Sequence, residues 1–255
     1  MLVWVGRGII QLIRFLGQIA ILNTRAVWGI MRGRIEYDTT VTQMAQIGVG
    51  SLPIVGITML FSGMVLGFHA AIQVGKFGAA DLVGWLVAET MCRELGPVLT
   101  CIVISARAGS AMTAELGTMK VTEQIDALRA LATNPIDYLV IPRYVACFVT
   151  VPLMALMGDT IGVLGGYVLA TMTSDINQVA YLANIPGNLE QWTVTAGIIK
   201  SFGFAAIIAV VSCYEGLNCK MASAEVGKAT TRSVVYCIIL IYIANLVLTT
   251  LLYPT

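Results

Sequence analysis

Between Leu82 and Thr118 the chain is apolar and long enough to cross a bilayer, yet it carries Glu89, Arg93, Glu94 and Arg107. A charge at membrane depth is costly unless protein or water surrounds it, so this helix must look onto an interior rather than onto lipid. The whole chain reads the same way: 58% of its 255 residues are hydrophobic and 11% charged, against roughly a quarter charged in a soluble domain. It belongs in a membrane, and its fold class is all-α. Directly after this span comes the mixed stretch Glu115 to Leu128, too short and too polar to cross anything.

Composition also narrows the chemistry. A net charge of +1 gives no bulk attraction to nucleic acid. The two Gly-Lys pairs, Gly75-Lys76 and Gly227-Lys228, lack the upstream glycine and following hydroxyl of a phosphate loop, so the chain does not bind ATP by that device. A single histidine, His69, leaves no room for a serine-histidine-aspartate or histidine-rich metal site. Cys92, Cys101, Cys147, Cys213 and Cys237 fall in or beside apolar stretches without a C-x-x-C pair, as buried thiols do.

Five stretches are long and apolar enough to span: 47–74, 82–118, 144–171, 192–213 and 234–253. The first carries Gly63 and Gly67, and the third Gly158, Gly162 and Gly166, at spacings that let helices approach closely. Below Gly96-Pro97, which should kink or break the second, two ridges of small residues follow: Ala106, Ser110, Ala114 and Gly109, Thr113, Gly117. Asp159 is expected to be paired or to face a cavity. Residues 174–191, with Pro186-Gly187, read as an external loop.

Residues 1–34 are not a signal peptide, because Arg7 and Arg14 interrupt the apolar run. At 100° per residue, Arg7, Gln11, Arg14, Gln18, Arg25 and Arg32 share one narrow sector, the pattern of a helix lying in the membrane interface; a weakly hydrophobic first span is the alternative. Lys and Arg concentrate in residues 1–46, 118–143 and 214–233, while the loops of the other side hold only Lys76. The positive-inside rule then places the amino terminus in the cytosol and the carboxyl terminus outside.

Two segments carry the mechanism. From Met119 to Ala132, Val121, Ile125, Leu128 and Ala132 form an apolar stripe that Lys120, Glu123 and Asp126 point away from, and Thr133-Asn134-Pro135 ends the helix. Such a helix either floats at the membrane surface or docks into a partner and passes on its motion. In the second span Glu89 and Arg93 have the favourable order for an i,i+4 pair, which leaves Glu94 over. Either the two acids share Arg93 in a structural network, or Arg93 and Glu94 form a polar spot in a greasy cavity fit for a lipid. Arg107 is expected to fix helix packing or bind a lipid phosphate.

The residues Met64-Val-Leu-Gly67, Arg93-Glu-Leu-Gly-Pro-Val98, the run from Arg107 to Leu128, Asn134-Pro135 and Ala229-Thr-Thr-Arg232 resemble the MlaE/YrbE family, in the same order over nearly the whole chain. That resemblance implies one permease domain, 1–255, with an amino-terminal interfacial helix (1–34), five transmembrane helices and a short cytosolic coupling helix (119–132). It implies the membrane subunit of an ABC transporter that moves phospholipid between the two membranes of a bacterial envelope and maintains outer-membrane asymmetry. No catalysis and no cofactor are expected on this chain; ATP and Mg belong to a separate ATPase. The implied partners are a second copy of the chain, cytosolic ATPase subunits, a periplasmic ring of MCE-domain proteins and phospholipid, with no nucleic acid, at the inner membrane.

The family pattern puts Leu66, Arg93 and Glu94 on the lipid, and Val121, Glu123, Gln124, Ile125, Asp126 and Leu128 at the ATPase. Asn245 stands where many relatives have an acid. Beginning at Met1 without a Ser/Arg-rich leader argues against a plastid precursor. Two rivals stand beside this reading: a secondary transporter relaying protons through Glu89, Glu94 and Asp159, and a scaffold that transports nothing.

Overall fold

The computed structural model describes residues 2–33, 35–77, 79–173 and 178–253, without the side chains of residues 2–9, 11, 12 and 80. Among these residues there are helices and no strand: α1 (Leu2–Met31), α2 (Tyr37–Gly75), α3 (Val83–Val121), α4 (Gln124–Ala130), α5 (Ile136–Thr173), α6 (Gln178–Asn188), α7 (Gln191–Leu217) and α8 (Ser223–Leu252). Five of them, α2, α3, α5, α7 and α8, are long and apolar enough to cross a membrane. All-α architecture with five spans is what the hydropathy pattern predicts.

The closest packing joins α2 to α5. A methyl group at Gly63 would overlap the carbonyl oxygen of Gly162, and one at Gly67 would lie 2.6 Å from the Gly166 Cα. The two glycine series therefore face each other, and backbone contact replaces the side-chain interdigitation of a water-soluble bundle. On α3 the ridge of Gly109, Thr113 and Gly117 packs inward. Gly109 and Gly117 pack on Ser212 and Val226, and the buried Thr113 donates from Oγ1 to Ser212 O (3.1 Å) and lies 2.9 Å from Ser233 Oγ. Ala106, on the other ridge, stays exposed.

All six cysteines are buried and free, as the sequence suggests for those in the spans. Arg107 does what a packing residue should: its Nη1 donates to Gln46 O (3.0 Å) and Ser51 Oγ (3.1 Å), fastening α3 to the start of α2.

Three differences from the sequence reading have physical causes. The spans extend beyond their apolar cores, because polar helical turns such as Tyr37–Met44 continue the same hydrogen-bond ladder. Of the predicted loop 174–191, residues 174–177 lie outside the described residues, but 178–188 form α6. This helix is pinned by the fully buried Tyr181, packed on Gly84 of α3, and by Asn184 Nδ2 donating to Asp81 O (3.1 Å) in the turn before α3; Pro186 sits in its last turn. Burial pushes the Tyr181 hydroxyl pKa up, holding it neutral against Val163 O (3.4 Å).

Finally, the stripe of 119–132 is not one helix. α3 runs on to Val121, Glu123 takes left-handed backbone (φ 61°), and α4 restarts at Gln124. α1 is one helix of 30 residues whose buried side, Leu22 and Ala26, packs on α7 and α5. Arg14 and Arg25 are exposed on it, Arg32 just beyond it lies over the Trp28 ring, and Arg7 and Gln11 fall outside the described side chains.

Candidate functional site

The site is built around a local widening of α3. Pro97 has no N–H, so in a regular helix the carbonyl four residues before it, that of Arg93, would lose its partner and meet the proline ring. The chain answers with a π turn over Met91–Leu95, in which Gly96 N–H bonds to Met91 O. The predicted kink at Gly96-Pro97 is thus absorbed one turn earlier without breaking the helix. Two carbonyls turn towards α7. A side chain at Gly197 would overlap Cys92 O, so only glycine lets α7 come this near. One turn further on, the ammonium of Lys200 donates to Arg93 O at 2.9 Å, replacing the donor that Pro97 lacks.

Lys200 is 0% exposed, a full charge inside the bundle. Its counter-ion is Glu94, at 2.7 Å. Glu94 also accepts from Asn245 Nδ2 (2.8 Å) and Thr249 Oγ1 (3.0 Å), so that α3, α7 and α8 meet at one carboxylate. Beside it Glu89 and Arg93 form the expected i,i+4 pair (3.5 Å), Thr193 Oγ1 donates to Glu89 (3.1 Å), and the Arg93 guanidinium lies 3.8 Å over the Tyr253 ring.

Glu94 is therefore not left over and does not share Arg93 with Glu89. Its partner is Lys200, 106 residues away, which sequence reasoning missed; the signal was a lone lysine inside an apolar span, a residue that must find an anion. Asn245 is a donor to Glu94 here, a part that an ionised acid cannot play. Asp159 stands apart. It is buried against Gly96 with Oδ1 unpartnered.

Leu66 lies elsewhere. It lines an open groove of about 500 Å³ between α2 and α3, with Phe61, Val65, His69, Leu95 and Leu99. The groove wall is almost wholly apolar. Neighbouring residues of the π turn serve both places: Leu95 faces the groove, while Glu94 turns to α7 and α8. Arg93 and Glu94 thus belong to the charged cluster, and Leu66 to the groove beside it.

At the other end of α3, Ile125 is buried and Leu128 partly so, seating α4 on the bundle, while Val121 closes α3. Glu123 and Gln124 are exposed, and Asp126 is held by Lys120 (3.3 Å) and Arg129 (2.8 Å). α4 ends in a Schellman motif, with Thr133 N–H on Leu128 O and Ala132 N–H on Arg129 O (both 3.0 Å) and Ala132 at φ 57°. A short rigid knob is thus fixed to the end of a span.

Five spans, glycine-mediated contacts, a balanced charge cluster around the buried Lys200 and an open apolar groove define a polytopic membrane protein of the transporter class. The sequence profile of a known family, described as Permease MlaE, matches residues 40–251. The chain is 38% identical over 249 residues to a probable ABC transporter permease protein of Rickettsia bellii, covering 98% of this chain and 96% of that one. It is 39% identical over 224 residues to a probable ABC transporter permease protein of Synechocystis, covering 88% and 85%. To the intermembrane phospholipid transport system permease protein MlaE of Haemophilus influenzae it is 32% identical over 250 residues, covering 97% and 95%. The chain belongs to the MlaE permease family and is a multi-pass transporter permease.

Proposed function

We propose that this chain is the membrane subunit of an ATP-driven phospholipid transporter of a bacterial inner membrane, moving lipid between inner and outer membranes and so maintaining outer-membrane asymmetry. ATP and Mg are held by a separate cytosolic ATPase that docks on α4 through Glu123, Gln124 and Asp126. Two copies of the chain assemble, and a ring of MCE-domain proteins receives lipid on the periplasmic side, where the carboxyl terminus lies. The observation that carries this reading is the Leu66 groove: about 500 Å³, open and apolar, on a chain similar over nearly its whole length to a phospholipid permease.

An acyl chain fits such a wall, and a second copy set against it would enclose the lipid. Arg93 is 39% exposed on its side chain, which leaves its guanidinium able to meet a phosphate once the enclosure forms. The proton-relay reading gains no support: Glu89 and Glu94 are engaged by Thr193, Arg93 and Lys200, and the inner oxygen of Asp159 has no hydrogen-bond partner among the described residues.

The test is a photo-crosslinking side chain at Leu66 in cells. Capture of phospholipid well above that at Leu246, an exposed residue of α8, is expected; equal capture at both sites removes the groove from the mechanism.

A further inference from the structure

On the α4 side of the bundle a second cavity, of about 420 Å³, lies between α1, the turn after α4 and the end of α7. Its wall carries two guanidiniums, Arg25 of α1 and Arg129 of α4, and no carboxylate residue. Arg129 is tied to Asp126 at 2.8 Å, whereas Arg25 is exposed and has no hydrogen bond or ion pair among the described residues. Of the three side-chain amides on the same wall, Asn218 spends its nitrogen on Tyr214 O (2.9 Å), while the other two have their oxygens already used. Gln18 Oε1 accepts from the Tyr214 hydroxyl, and Asn134 Oδ1 accepts from Ile136 N–H (3.1 Å), which leaves both amide nitrogens to donate. The polar half of the cavity is thus dominated by donors, two guanidiniums and two amide nitrogens beside the Asn218 oxygen. Its other half is apolar, with Leu22 and Leu217 as wall and Ile21, 54% exposed, at the rim.

We propose that this cavity binds the phosphate of an anionic phospholipid headgroup, with Arg25 and Arg129 as its counter-charges and the glycerol end against Ile21. Two guanidiniums on a wall without a carboxylate call for an anion, and guanidiniums are the side chains that fit phosphate oxygens two at a time. The exposed apolar residues of α1 on either side, Ile13, Leu16, Ile21 and Trp28, fit acyl chains and not bulk water. A lipid headgroup is therefore favoured over free phosphate, which has no use for that rim.

The location adds a consequence. Arg25 is on α1 and Arg129 is in the last turn of α4, so a bound phosphate fastens the amino-terminal helix to the segment that precedes Asn134-Pro135 and α5. The proposal rests on α1 lying in the membrane interface and is independent of which lipid the Leu66 groove carries.

The experiment follows thermal unfolding of the purified, delipidated full chain through labelling of its six buried thiols, with added phosphatidylglycerol, phosphatidylcholine or inorganic phosphate. Phosphatidylglycerol is expected to raise the midpoint at lower concentration than phosphatidylcholine, and inorganic phosphate to leave it unchanged. Arg25→Gln and Arg129→Gln should each raise the required phosphatidylglycerol concentration about five-fold, the worth of one basic residue at an anionic surface. Arg14→Gln, exposed on the same helix but outside the cavity, should not. Lipid bound in the Leu66 groove stabilises all these variants alike, so their ratio reads this cavity alone.

Arg25 makes no contact that folding needs; should Arg129→Gln lose its fold with Asp126 unpaired, Arg25→Glu must by itself abolish the preference for phosphatidylglycerol. An unchanged concentration dependence in Arg25→Gln overturns the proposal. Stabilisation by phosphate equal to that by phosphatidylglycerol overturns it in favour of a free-anion site, and equal effects of the two lipids overturn it in favour of undirected apolar contact.

Discussion

At the scale of single residues, the chain's strongest commitment is Lys200, an ammonium without solvent contact that depends on one carboxylate and one carbonyl. Removing one partner of such a pair costs far more than removing both, because the remaining charge has nowhere to go. Glu94→Gln is therefore expected to lower stability by about 2–3 kcal/mol, below the usual range of roughly 3–5 because Glu94 is one-third exposed. Glu94→Gln with Lys200→Met should regain most of that loss, as read in a double-mutant cycle of thermal unfolding. Asn245→Asp puts a second carboxylate where an amide now donates at 2.8 Å, and should destabilise the fold. Asp159→Asn should change stability by less than about 1 kcal/mol, since the unpartnered oxygen it keeps is no worse off than before. Sequence showed that Glu89 and Arg93 pair, because four residues on a helix is a local relation. It did not show Lys200 against Glu94, because that contact exists only after α7 has met the π turn.

At the scale of elements, what was legible was whatever hydropathy and small-residue spacing encode: five spans, and the glycines by which α2 and α5 touch. The π turns were not legible. Pro97 announces an interruption, but whether a helix breaks, kinks or widens depends on what receives the freed carbonyls, and here Lys200 and the space at Gly197 do. Gly197→Ala should accordingly cost roughly 1–3 kcal/mol by overpacking, with the shift felt at Lys200. α6 was missed because Pro186-Gly187 reads as a turn, whereas proline in a last turn still leaves the preceding ladder intact. At α4 the prediction runs the other way. Ala132 holds left-handed backbone at φ 57° in the Schellman motif, a conformation that suits glycine. Ala132→Gly should raise the unfolding midpoint, by a free energy of about 1 kcal/mol, while Glu123 and Asp126 keep their places. A lever whose end is more firmly fixed should retain ATPase docking, whereas Glu123→Lys with Asp126→Lys should uncouple it; full association of the lysine variant would detach α4 from that role.

At the scale of the whole molecule, the five spans are unequally covered. Residues of α5 and α7 are mostly enclosed by their own chain, but α2 and α8 show rows of large apolar side chains: Ile57, Phe61 and Val65 on one, Ile239, Leu246 and Leu251 on the other. Lipid can cover either row, since helices in a bilayer gain little from hiding apolar surface. The two rows nevertheless differ. The α2 row borders the Leu66 groove, and a groove that is to hold a lipid against the surrounding bilayer needs a further wall beside α2 and α3, from outside the described chain. A second copy set across a two-fold axis at α2 would supply it, and an axis passing beside Val65 would bring that residue against its own equivalent. A cysteine at Val65 should then cross-link between chains in native membranes under mild oxidation, with no background from the six buried native thiols. Cross-linking should weaken when phospholipid is captured at Leu66, because the same walls must part to admit it. If Leu246→Cys cross-links and Val65→Cys does not, the enclosure is built on α8, and the charged cluster that α8 shares with α3 and α7 becomes its floor.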